Sequence, residues 1–415
     1  MVASVPIRWL PRLLSRLSDT QPPVPPFQIA GFSPALKTRL LILQPTPFCN
    51  IDCDYCYLPD RQSTARMSVA TAERAAGRLR EDGLLGETLT VVWHAGEPLV
   101  MPVAYYDEAI AAIAAAIGPH CRVTHSIQTN ATLIDDAWCA LFKRHGIQVG
   151  VSVDGPQALH DAHRKTRTGR GTHDRVLRGM ARLREAGIAF HAIAVVTPAT
   201  FAQADAFFDF FLEQGVTEVG CNFDEAEGPH GQSSLCGNEA AHAEFLTRLL
   251  QRATQDPRLR VRELAMALRL ITQPLPQQAW RGQQWPDNAQ TLPFTLISVA
   301  NNGDFCTFSP ELLGQPSVEF ANFVLGNVAD GGYLAATGSS TFQRLWAAIV
   351  QGIETCAQQC AYFEYCGGGA PANKLYENGD LASGETLYCR TMVKRPFEVV
   401  LGRLEHCSDE LGAHR

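Results

Sequence analysis

Three cysteines fall within eight residues in "PTPFCNIDCDYCYL", at positions 49, 53 and 56. The run before them, "RLLILQP" (39–45), is apolar and of the length of a buried parallel strand. The thiols therefore sit just beyond the carboxyl end of a strand, which is the functional face of a parallel barrel. Three close thiolates can hold three irons of a cubane cluster and leave the fourth iron open to an external chelating ligand. A structural zinc site wants four protein ligands, commonly as paired C-x2-C knuckles, and no partner knuckle lies nearby.

The rest of the chain fits a barrel around that loop. Further candidate strands are "TLTVVW" (88–93), "RVTHSIQT" (122–129), "IQVGVSVDG" (147–155), "AFHAIAVV" (189–196) and "VTEVGCNF" (216–223). Helix-length segments separate them. "SVATAERAAGRLREDG" opens on Ser68 as a possible N-cap and stops at Gly83, and "DDAWCALFKRHG" and "THDRVLRGMARLREAG" also close on glycine. Six βα units in succession predict an α/β fold, a partial (β/α)6 TIM-like barrel. Residues 237 to about 290 read as helical and Gln/Pro-rich. After 291 the pattern changes to short strands and Gly-rich turns. The expected organisation is an extension over 1–36, a barrel core over 37–236, a helical connector over 237–290 and a C-terminal region over 291–415.

Net charge is −7 over 415 residues, so there is no general basic field for nucleic acid. Apolar runs are broken by charge or proline well before eighteen residues, so no membrane span is expected. "MVASVPIRWLPRLLSRL" lacks a continuous apolar secretory core and reads as a short amphipathic helix, with "PPVPPF" (22–27) as an extended linker. Without a secretory signal, the thirteen cysteines are not expected to form disulfides, and a cytoplasmic location follows. Seven of them cluster near the two ends of the chain, which suggests metal.

C-x3-C-x2-C after the first strand of a βα barrel resembles the radical S-adenosylmethionine (SAM) enzymes, and Tyr55 resembles the aromatic that precedes the third cysteine there. The resemblance implies that Cys49, Cys53 and Cys56 hold a 4Fe–4S cluster whose open iron is chelated by SAM. Reductive cleavage of SAM would give a 5′-deoxyadenosyl radical that abstracts hydrogen from substrate. "HAGEP" (94–98) resembles the family's GGEP loop, with Ala95 in place of the first glycine, and implies Glu97 as acceptor from the SAM ammonium. Asn130 in "QTNAT", Ser152 in "SVDG" and Arg164 in "HDAHRKTRTG" match further SAM-contacting positions at or after consecutive strand ends.

The second cluster, "CAQQCAYFEYCGGGAPANKLYENGD…TLYC", supplies Cys356, Cys360, Cys366 and Cys389. Four thiolates make a complete protein-ligated set that suits zinc or 4Fe–4S. The segment resembles the SPASM region of radical SAM enzymes that modify ribosomally made peptides, which implies an auxiliary 4Fe–4S cluster. A full SPASM region holds two. Here Ala370 stands where one ligand is expected, and upstream only Cys306 appears, so one auxiliary cluster is expected and Cys306 unligated. "FSPELLG", "LGNV", "CAYFEYCGGGAPANK" and "ETLYC" resemble the cyclophane-forming maturases of the GrrM/OscB kind, related to the FxsB kind.

The implied reaction joins an aromatic ring carbon to a Cβ in a precursor peptide, with flavodoxin or ferredoxin as reductant. Rearomatisation needs a proton acceptor, for which Asp224, Glu225, Asp304 and Glu311 qualify by location alone. A sulfatase-type formylglycine maturase is the alternative enzyme. A non-catalytic iron–sulfur electron carrier is the alternative of another class, and the intact glutamate, serine and arginine set argues against it.

Overall fold

Six parallel strands carry the fold: β1 (Thr38–Leu43), β2 (Leu85–Trp93), β3 (Arg122–Thr129), β4 (Gln148–Ser152), β5 (Phe190–Val196) and β6 (Glu218–Phe223). Each pairs in parallel with the next. The computed structural model describes residues 24–226 and 231–413. The amphipathic helix expected within 1–17 and the start of the Pro-rich linker lie outside the described residues.

Helices α1 (Val69–Glu81), α2 (Val103–Ile117), α3 (Asp136–His145), α4 (His173–Glu185) and α5 (Ala204–Glu213) cover the outer face. Local chemistry sets their ends. The Ser68 side chain accepts from the Thr71 amide, and Asp135 accepts from that of Trp138. Gly146 ends α3 in the left-handed region, at φ 60°.

Strand alternation then sorts the side chains. Val91, Trp93, Ile127, Val151, Ala194 and Val219 point outward and are buried under the helices. The opposite row, which includes Thr90, Ser126, Gln128, Ser152, His191 and Asn222, is only half-buried. With Leu40, Val92, Ile193 and Val195 in the same half-buried row, the concave side is a lumen of mixed polar and apolar lining, where a closed barrel of this size would be filled with branched apolar layers.

The sheet runs on past both edges. After α6 (Glu239–Gln255), β7 (Arg260–Val261) pairs in parallel with β6 and leads into α7 (Arg262–Thr272). At the other edge β8 (Leu296–Val299) pairs in parallel with β1, followed antiparallel by β9 (Asp304–Thr307) and β10 (Gly326–Asn327). The strand order is β7-β6-β5-β4-β3-β2-β1-β8-β9-β10, an open partial barrel.

The stretch 237–290 departs from the helical expectation in its last part. Gln277–Trp280 and Gln283–Pro286 form a hairpin that adds to Phe32–Ser33. Aromatic packing decides this against the Gln/Pro composition. Trp280 stacks near Phe32 and meets Trp346 edge-on at 5.2 Å. Trp346 belongs to α8 (Ser340–Gln359), which is followed by α9 (Pro371–Asn378) and α10 (Arg395–Ala413). Among the described residues no helix is long and apolar enough to cross a membrane.

Candidate active site and cysteine centres

The loop after β1 is held from three sides. Its segment Ile51–Cys53 forms a short antiparallel ladder with Arg164–Thr166. Arg167 donates from Nε and Nη2 to the Cys49 carbonyl at 2.9 and 2.6 Å, and its guanidinium lies 4.8 Å from the Phe48 ring. From below comes the turn after β2. The Glu97 amide donates to the Phe48 carbonyl at 2.8 Å. A Cβ on Gly96 would lie 2.4 Å from the Thr46 carbonyl oxygen and 2.5 Å from that of Phe48. Only glycine lets these two backbones come so close, and Gly96 also has φ 57°. Ala95 beside it is left-handed as well, at φ 73°. It stands in a conformation that an L-residue adopts at a cost of about 1–2 kcal/mol.

Cys49, Cys53 and Cys56 are near enough for their charges to act on one another. Burial pushes the Cys49 thiol up to about 12, with Glu97 adding to the rise, and burial pushes Cys53 up to about 11. These thiols keep their protons until a metal displaces them. Among the described residues no three His, Cys, Asp or Glu side chains converge as ligands of one metal ion. Three thiols on one loop supply ligands for three corners of a cubane and leave its fourth iron to an external ligand, so the loop fits such a cluster.

Glu97 is buried beside this loop. Its carboxylate accepts from Thr129 Oγ1 at 2.6 Å, the Leu99 amide at 3.0 Å and the Asn130 amide at 2.8 Å. Burial raises it to about 7, against the pull of those donors. The Asn130 side-chain amide donates to Asn50 at 2.8 Å and faces Cys49 Sγ at 3.8 Å. Ser152 lies farther into the lumen and accepts from Gln128 at 2.9 Å.

Tyr55 and Arg164 meet on a third residue, Asp154, whose role no local pattern marks. Tyr55 Oη donates to Asp154 Oδ2 at 2.5 Å, and Arg164 Nε donates to the same oxygen at 2.9 Å. The other oxygen, Oδ1, accepts from the Val195 amide at 2.8 Å. Asp154 thus ties the cysteine loop to the ends of β4 and β5. The one available signal was its place in "SVDG", directly after a strand. Arg167 was missed for the same reason, since its partners at 49, 61 and 62 are remote in sequence.

The second set of cysteines encloses a cavity of about 190 Å³. Cys356 and Cys360 come from the end of α8, Cys366 from the helical turn Phe363–Cys366, and Cys389 from the start of a wide turn over Cys389–Lys394. Gly367, Gly368 and Gly369 all have positive φ and fold the chain tightly beneath Cys366. Burial pushes the Cys366 thiol up to about 12, with the other three cysteines adding to the rise. Four thiols around one cavity fit a closed, protein-ligated cluster. Ala370 caps α9, and the buried Cys306 thiol donates weakly to the Ser309 carbonyl at 3.7 Å.

The four carboxylates named as proton acceptors differ in their surroundings. Asp304 accepts from Asn302 and Asn327 within a turn, and Asp224 accepts from Ser234. Glu225 accepts from Asn373. Glu311 is pushed up to about 7 by burial. The Tyr388 phenol lies where the charges of Glu225, Arg262, Glu311 and Cys366 all act on it.

Comparison with known proteins bears on these features. The model of the radical SAM superfamily matches residues 43–211. An uncharacterised protein of Synechocystis, sll1766, is 38% identical over 384 residues, which is 91% of this chain and 94% of that protein. A serine-type anaerobic sulfatase-maturating enzyme of Klebsiella aerogenes is 36% identical over 171 residues, 41% of this chain and 42% of that enzyme. The solved structure of anSMEcpe with bound AdoMet and the Cp18Cys peptide superposes with a TM-score of 0.70 at 19% identity, over 90% of this chain and 99% of that one. At that identity the match speaks for the fold.

Proposed function

We propose that this chain, which belongs to the radical SAM superfamily, is a maturase that joins an aromatic ring carbon to a Cβ within a ribosomally made precursor peptide. The observation that carries the reading is the pairing, in one chain, of a three-thiol loop at the carboxyl end of β1 with a separate cavity lined by four thiols. Tyr388 lies near the second set, within reach of the charge of Cys366 and of Glu225 and Glu311. When bound, the first cluster and SAM supply a 5′-deoxyadenosyl radical, and the second cluster supplies an electron acceptor.

The chain's own residues divide the remaining work. Cys49, Cys53 and Cys56 hold the first cluster, while Cys356, Cys360, Cys366 and Cys389 hold the second. Tyr55, Glu97, Asn130, Ser152 and Arg164 line the SAM site, and Asp154 orients Tyr55 and Arg164. The substrate loses one hydrogen atom from Cβ, forms the new carbon–carbon bond, and then sheds one proton and one electron to restore the ring. Glu311, half-buried and close enough for its charge to act on Tyr388, takes the proton. A flavodoxin or ferredoxin in the cytoplasm supplies the electron that starts the cycle. The barrel core spans 37–236, the connector 237–290 and the auxiliary-cluster region 291–415.

A second reading, formylglycine formation in a sulfatase, is favoured by the sulfatase-maturating relative. Both outcomes can remove two hydrogens, so mass alone does not separate them. Coexpression with the short open reading frame adjoining the gene, followed by tandem mass spectrometry, is the test. A loss of two hydrogens per ring in a product inert to hydrazide supports the crosslink. A hydrazide-reactive aldehyde on a sulfatase-derived peptide, with no modification of the neighbouring peptide, overturns it.

A further inference from the structure

Lys374 is a buried cation with no carboxylate partner among the described residues. It lies on α9 and is 3% exposed. Its Nζ donates to the Gly352 carbonyl at 2.7 Å and to Cys356 Sγ at 3.3 Å. Gly352 makes the room. A Cβ there would stand 2.9 Å from Nζ and 2.4 Å from the Leu381 carbonyl oxygen. Both contacts belong to α8, one turn apart, and Cys356 opens into the cavity shared with Cys360, Cys366 and Cys389.

An ammonium held out of water needs an anion, because a lone carbonyl dipole does not offset its lost hydration. The anionic group within hydrogen-bond reach of Nζ is the Cys356 thiolate, which metal ligation creates. The other nearby lysine differs. Lys394 reaches the same cavity but is neutralised by Glu385, its ion-pair partner. Among the described residues, Cys356 is thus the one ionisable group that Lys374 touches.

We infer that Lys374 is the resident counter-cation of the auxiliary cluster and sets its reduction potential. Uptake of one electron adds one negative charge to the cluster–thiolate unit. A fixed positive charge against one ligand favours that reduced state over the oxidised one, and in a site dry enough to bury Lys374 the preference is little screened. The cluster is thereby a better acceptor for the single electron that leaves the substrate. Lys374 acts through Cys356 and is a positioning residue. The inference rests on the reading of the four cysteines as cluster ligands.

The test uses the full chain, reconstituted anaerobically, with iron counting and an EPR-monitored redox titration. The SAM-binding cluster in the same sample serves as internal reference. Lys374→Met should keep about eight irons per chain. It should lower the reduced fraction of the auxiliary cluster about tenfold at fixed potential, a shift of about 59 mV for a one-electron couple, with the reference signal unmoved. Lys374→Arg should retain the wild-type value. If Lys374→Met does not load the cluster, Lys374→Gln, which keeps a donor without the charge, takes its place. An auxiliary potential unmoved in the neutral variant, or moved equally in Lys374→Arg, overturns the inference. A wild-type chain that loads only the first cluster overturns the ligand reading itself, and the inference falls with it.

Discussion

Cys53 and Arg164 face each other as cross-strand partners in the ladder between Ile51–Cys53 and Arg164–Thr166. Backbone register, and no side-chain contact alone, thus places a guanidinium beside the Cys53 thiol and lowers that thiol's cost of ionising. Asp154 completes the arrangement from the barrel side.

Removing Asp154 leaves Arg164 buried and unpaired, with side-chain exposures of 8% and 2% for the pair. Asp154→Ala is expected to lower the free energy of unfolding by about 3–5 kcal/mol. Tyr55→Phe deletes one hydrogen bond to the same carboxylate and should cost about 1.5–3 kcal/mol. Denaturant titration of both variants checks the order, and a larger loss for Tyr55→Phe would contradict it.

The turn after β2 offers a pair of opposite outcomes. Ala95→Gly relieves the left-handed strain at φ 73° and should stabilise by up to about 1 kcal/mol. Gly96→Ala drives a methyl into the Thr46 and Phe48 carbonyls. It should displace the cysteine loop and leave the purified chain short of about four irons. Thermal melts and iron analysis read both variants.

The proposed role of Glu311 as proton acceptor predicts a pH dependence. A proton acceptor must be ionised to act, and burial has raised this carboxyl from 4.5 to about 7. Turnover under saturating SAM and reductant should therefore rise with pH through about 7 and level off above it. Glu311→Gln should lose that limb and about 10²–10⁴ in rate, while SAM binding by equilibrium dialysis stays unchanged.

The two cysteine sets should be separable by metal content. Replacing Cys49, Cys53 and Cys56 together with alanine should leave about four of eight irons and abolish SAM cleavage. Replacing Cys356, Cys360, Cys366 and Cys389 should also leave about four irons, but the reduced protein should still cleave SAM. Cleavage lost equally in both variants would mean that the second set is needed for the first.

Much of the barrel was legible because its signals are local. The alternating apolar runs mark all six core strands, and Ser68, Asp135 and Gly146 mark helix ends within a residue or two. The hairpin over 277–286 was not legible, because tryptophans that pack against Phe32 and Trp346 decide it, and neither partner is near in sequence. The parallel pairing of β8 with β1 was hidden for the same reason. At the site, the cysteine spacings could be read directly. Asp154, Arg167 and Lys374 could not, since each has its meaning only through a partner that the fold brings up.

The ladder that joins Leu296–Val299 to Leu40–Leu43 has a mechanical consequence. The strand leading to the first cysteine loop and the strand leading toward the second region share backbone hydrogen bonds, which the Gln44 amide extends by donating to Val299 at 2.9 Å. Phe294, just before β8, stacks on Phe342 of α8 with rings 5.5 Å apart and 4° from parallel. Helix α8 ends at Cys356 and Cys360. The two cysteine sets are therefore tied to one run of paired strands and packed rings, and the proposed electron transfer between them would cross a span that this frame sets, like the spacing of electrodes in a cell.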